Sequence, residues 1–124
     1  GLSSMPIFNQ YDFAWKAGDA GFLQLNWGSM ERYVVETGRL EPMYEDSINF
    51  PSAGIRFMTW SSAWQDRIVA WDGRQGQVRE ILTTDGDVHR VSRVHAGGTL
   101  LAWQYVDDSA AEPIVEIWYA RLPL

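Results

Sequence analysis

At 124 residues, 46% hydrophobic and 21% charged, the chain is the size of one ordinary domain and can bury a core without cross-links. Its formal net charge is −6, and Lys16 is the only lysine beside nine arginines, which argues against nucleic acid and anionic membrane surfaces as partners. With no cysteine there is no disulfide framework and no thiolate chemistry, and no apolar run reaches membrane-spanning length.

The opening residues carry no basic-then-apolar pattern, so the expectation is a cytoplasmic protein in a single domain over residues 1–124. Residues 1–4, ahead of Met5, read as an addition to the natural start. The first strands are expected at residues 11–16 and 22–27, with the turn chemistry of residues 18–21 between them. In the second of these, Leu23, Leu25 and Trp27 alternate with Phe22, Gln24 and Asn26. Residues 31–40 favour a strand through Tyr33-Val34-Val35, in preference to a short helix capped by Ser29. Pro42 and Pro51 limit any long element between residues 41 and 54. That stretch reads as a loop over one end of the domain, with at most a brief strand at 47–50.

Alternation resumes over 54–60, and the second half is clearer. Strands are expected at 67–71, 77–84, 88–95, 99–106 and 114–122, divided by Asp72-Gly73 with Gly76, Asp85-Gly86, Gly97-Gly98 and the longer gap 107–113. Asp-Gly and Gly-Gly suit tight hairpins, whose central residues need positive φ. The economical reading is an all-β, antiparallel up-and-down meander of eight or nine strands closing into a small barrel. Such an architecture is of the calycin or lipocalin kind, although no diagnostic motif of those families is present. A β-sandwich and propeller-like blades are the alternatives. Residues 66–71 align loosely with 98–103, and Trp71-Asp72 supplies a Trp-Asp dipeptide. Eight or nine strands, however, would make only about two four-stranded blades.

Residues 99–106 and 114–122 are apolar on both faces, where a strand with one solvated face should alternate. That pattern calls for a second layer or a second subunit, and the expectation is a homo-oligomer, a dimer first.

Chemistry is sparse. His89 and His95 should share one face of a strand with Val91 and Arg93, roughly twenty ångströms apart if the strand is straight, too far to share a metal. Glu116, between Ile114 and Trp118, would be a desolvated acid/base group if its face lined a lumen. These three are the weak catalytic candidates, set against the ordinary use of such residues at surfaces and in ion pairs. Arg56 shares a face with Met58 and Trp60, and Arg67 shares one with Val69 and Trp71. Arg beside Trp can stack on the ring and still fork onto a carboxylate. A lumen lined by Arg56, Met58, Trp60, Arg67, Trp71, Arg93, Trp103 and Trp118 would suit a small apolar, aromatic or acidic molecule. The plainer alternative is that the arginines face solvent and the tryptophans fill the core.

No calcium loop, phosphate-cradling glycine loop, nucleophile elbow or Cys/His metal spacing occurs, so no metal or cofactor is expected. The functional expectation is therefore a small-molecule-binding barrel. A protein-interaction or assembly module with a packed interior is the second reading, and a barrel enzyme using Glu116 or a histidine the third.

Overall fold

The structure is a computed structural model and describes residues 13–17, 20–24 and 29–122. The proposed addition at residues 1–4, the first residues of the expected strand 11–16 and the end of the expected strand 22–27 lie outside the described residues. Eleven strands are described. β1 (Phe13–Ala17), β2 (Ala20–Gln24), β3 (Met30–Val34) and β4 (Arg39–Tyr44) form a first antiparallel sheet in chain order. β5 (Ile48–Ala53), β6 (Phe57–Ser62), β7 (Arg67–Asp72) and β8 (Gln77–Thr83) form a second. β9 (His89–Gly97), β10 (Leu100–Asp107) and β11 (Ile114–Arg121) form a third, of three strands.

The all-β antiparallel class is as expected, but the barrel is not. Among the described residues β1 pairs with β2 alone and β11 with β10 alone, so the strands do not close into one ring. The reason lies in two connections. After β4 and again after β8 the ladder stops, and the next strand starts a new sheet instead of joining the old one. Asp85-Gly86 is one of these connections. The Asp85 carboxylate accepts the backbone N–H groups of Asp87 (2.9 Å) and His89 (2.8 Å), an Asx-type turn that leads the chain out of the sheet. Gly86 has φ +72°, and a Cβ there would lie 2.8 Å from the Cβ of Asp66, so no other residue fits without strain. The Asp72-Gly73 and Gly97-Gly98 turns do make hairpins, joining β7 to β8 and β9 to β10.

Residues 31–40 hold parts of two strands. Gly38, at φ +67°, bonds back to the Val34 carbonyl (2.8 Å) and closes a hairpin between β3 and β4. Residues 41–54 are more regular than their prolines suggest. Pro42 lies in β4 and Pro51 in β5, and both strands are at sheet edges, where a missing N–H costs no ladder bond.

The second sheet is the centre of the molecule. One of its faces, with Met58, Trp60, Val69 and Trp71, packs on Ala17, Phe22 and Met30 of the first sheet. The other, with Phe57, Ile68 and Ala70, packs on Val91, Val94, Leu101 and Trp103 of the third. Every residue of β6 is buried as a result. Even Thr59 and Ser61 are buried, and their hydroxyls donate to the Ser52 and Asn49 carbonyls of β5. Aromatic edges lock the first interface: Phe22 meets Trp71 at 4.9 Å and Tyr44 meets Trp60 at 5.4 Å, both T-shaped.

Candidate functional site

The third sheet carries the surface that the rest of the fold leaves unexplained. β9 is not straight. Ser92 pairs with Gln104 and His95 with Ala102, leaving Arg93 and Val94 together opposite Trp103. This is a β-bulge, and Arg93 takes the left-handed conformation (φ +55°) that it requires. The extra residue resets the face. Val91 and Val94 both point into the core, whereas Arg93 and His95 are exposed. His89 and His95, expected on one face, therefore lie on opposite faces of the sheet.

His89 sits on the same side as Val91, facing Asp107 across the ladder. Its Nδ1 is 3.2 Å from Asp85 Oδ2 and its Nε2 3.6 Å from Asp107 Oδ1. The ring stacks on Tyr105 (centroids 6.1 Å apart), and Tyr105 stacks on Trp118 at 4.0 Å and 13°. One aromatic row thus crosses all three strands. The His89 and Asp87 amides hold the Asp85 carboxyl down at about 2, and the Ser109 hydroxyl and amide lower that of Asp107. These groups serve to fix the turn before β9 and the end of β10.

Beyond the row lies β11, of which Ala120 packs on the core while most of both faces is exposed. Ile114 and Trp118 are 51% and 38% exposed on one side, and Val115, Ile117 and Tyr119 are 55%, 72% and 70% exposed on the other. Among the described residues its outer edge is also unpaired, the third sheet having three strands where the other two have four. Glu116 stands exposed on β11 opposite Tyr105, so the burial that an acid/base role required is missing.

The other expected ligand residues are dispersed, because the described strands enclose no lumen to gather them. Met58, Trp60 and Trp71 fill the interface of the first two sheets, and Trp103 that of the last two. Arg67 is a clamp: it reaches Asp66 and Asp46 at 3.3 Å and Glu80 at 3.6 Å, tying the β4–β5 connection to β7 and β8. Arg56 grips Asp72 through Nε and Nη2 at 3.2 and 3.3 Å, with its guanidinium 4.8 Å above the Phe57 ring. Asp72 is only 4% exposed. Burial opposes its ionisation, but the Arg56 hydrogen bonds, the Arg74 N–H and the charges of Arg56 and Arg79 outweigh it and hold the pKa below the ordinary value. Arg56 and Trp71 do share an open cleft between the first two sheets. Among the described residues no group of His, Asp and Glu could hold a metal ion.

The succession of meanders of four, four and three strands stacked face to face has a counterpart among solved structures. The fold is similar to part of a β-propeller. The crystal structure of the N-terminal domain of Nup159 matches over 92% of this chain and 31% of that one, with a TM-score of 0.51 and 11% identity. At that identity the likeness shows the fold alone, and the chain spans less than a third of the domain it matches. No protein family and no curated protein matches the sequence. In blade terms, β5 and β9 are equivalent first strands, as are β6 and β10 as second strands. The aromatic row and the bare strand could not be read from the sequence, because both depend on cross-strand register. The signal that was available is the apolar character of both faces of residues 114–122.

Proposed function

We propose that this chain is a protein-interaction and assembly module that uses β11 to meet a second copy of itself. The observation that carries the reading is the exposure of Val115, Ile117, Trp118 and Tyr119 on an eight-residue strand whose outer edge is unpaired among the described residues. Natural sheets blunt their edges with lysine, proline, bulges or a covering element. β11 has none of these, and only Glu116 and Arg121 are charged. A two-fold contact suits such an edge, because the same strand supplies both sides and the assembly closes. Antiparallel pairing centred on Trp118 keeps side chains of one face together and sets Ile117 of one copy against Tyr119 of the other. Main-chain hydrogen bonds then occupy the fourth-strand position of each third sheet, the β-augmentation mode of recognition.

Sedimentation across a wide concentration range tests this. A monomer–dimer equilibrium is expected, and Ile117→Lys, a charge on an exposed position, is expected to leave a folded monomer. A chain that stays monomeric at the highest concentrations contradicts the proposal.

A further inference from the structure

The two ends of the sheets carry opposite charge. At one end Arg39 opens β4 and Arg74 lies in the turn between β7 and β8, while the turns at the other end hold Asp46, Asp85 and Asp108. The basic end matters because the chain as a whole carries a formal net charge of −6. Against that overall charge, the end that carries Arg39 and Arg74 is the more favourable place for an anion. Here the first two sheets splay apart around a cleft of about 790 Å³.

Three guanidinium groups line it. Arg32 is held from β3 by Glu41 (3.3 Å), which occupies only its Nη2. Arg56 is held by Asp72. Arg74 projects from a turn pinned by Asp72, whose side chain accepts the Arg74 N–H (2.9 Å) and whose carbonyl accepts the Gly76 N–H (2.7 Å). Gly73 cannot carry a side chain in this turn, since a Cβ would stand 2.9 Å from the Arg56 carbonyl and 3.1 Å from the Trp71 ring. Glu36 is the one acidic side chain among the described lining residues. The walls are apolar, with Tyr33, Ile55 and Trp71, and Ile55 is 87% exposed. Trp71 itself is 4% exposed, and its indole N–H has no acceptor among the described residues.

We infer that this cleft binds an acidic peptide segment in which carboxylates alternate with apolar side chains. Arg32 and Arg56 are fixed by Glu41 and Asp72 and so are organised before the ligand arrives, whereas Arg74, held by Asp72 only through its backbone, brings a guanidinium with no carboxylate partner among the described residues. The planar forks match carboxylate geometry. A single small anion would use one of the three and none of the apolar wall. The spread of charge over an open cleft with exposed Ile55 therefore favours an extended chain.

Fluorescence anisotropy of a short labelled peptide alternating Glu and Leu, with its Gln counterpart as control, tests the inference. The Glu peptide is expected to bind saturably and to weaken with salt. Arg74→Glu is expected to cut affinity about tenfold or more by replacing an attraction with a repulsion, with the circular-dichroism melt unchanged. Arg121→Glu makes the same charge change at a residue of β11 that does not line the cleft, and is expected to leave affinity within about twofold. Ile117→Lys is expected to bind as the parent does, which separates this site from the assembly surface. Equal binding of the Gln peptide, no saturable binding, or an Arg74→Glu affinity equal to that of Arg121→Glu overturns the inference. Displacement of the peptide by low-millimolar inorganic phosphate also overturns it, by showing a simple anion site.

Discussion

β6, with Thr59, Ser61 and Ser62, is the more polar strand and β11 the more apolar, yet β6 is buried throughout and β11 is exposed along almost its whole length. The difference is position. β6 lies inside the middle sheet, with neighbours in its own plane and a sheet against each face, whereas β11 is the last strand of the last sheet. Apolar side chains are therefore core in one place and exposed surface in the other. Apolar composition identifies strands that must be covered; it does not say what covers them.

Substitution should separate the two regions sharply. The largest effect is expected for Trp60→Ala, which empties the contact between the first two sheets. It should cost on the order of 4 kcal/mol in chemical denaturation, as large-to-small core changes do. Next is Arg56→Ala, which leaves the Asp72 carboxylate buried without its guanidinium and should cost about 3 kcal/mol. Arg56→Lys should recover only part, because an ammonium cannot reproduce the two-pronged contact. Gly86→Ala, strained by its positive φ and by Asp66, should cost about 1–3 kcal/mol. Ile117→Ser should change the stability of the folded monomer by no more than about 0.5 kcal/mol, the usual range for a surface site. A large loss of monomer stability there would show that β11 is covered after all.

Acid titration sharpens the picture at the turn before β9. The folded-state pKa of Asp85 lies at about 2, below its ordinary value of 3.8. A depressed carboxylate adds stability above its unfolded pKa and loses it as pH falls through the folded one. Melting temperature should therefore fall as pH drops from about 3.8 towards about 2, with Asp72 and Asp107, also depressed, contributing in the same sense. Asp85→Asn should flatten that dependence.

Much of the local structure was legible in the residues. The strands at 67–71, 77–84, 99–106 and 114–122 fall within a residue or so of β7, β8, β10 and β11, because glycine turns and β-branched runs act over short range. What was not legible is how hairpins group into sheets. A glycine turn such as Asp85-Gly86 has the same composition whether it continues a sheet or starts the next. The loose likeness of residues 66–71 to 98–103 points to propeller-like blades, the alternative that the comparison supports, and the strand count argues only against a closed propeller. In detail the likeness matches the third strand of one sheet to the second of another. The structural repeat instead sets Phe57 of β6 against Leu100 of β10 as strand starts. The bulge at Arg93 hides in a sequence that alternates well enough to pass for a straight strand. Of the candidate site, the two apolar faces of residues 114–122 were visible. The Arg-lined cleft was visible only as Arg56 and Trp71, because Arg32 and Arg74 join them across sheets.

The most direct test is amide hydrogen exchange followed region by region as protein concentration is raised. Amides of β6 and β7 should stay strongly protected throughout, while those of β11 exchange quickly in dilute protein and slow as the dimer forms. A β11 whose protection never changes with concentration, fast or slow, would contradict the account.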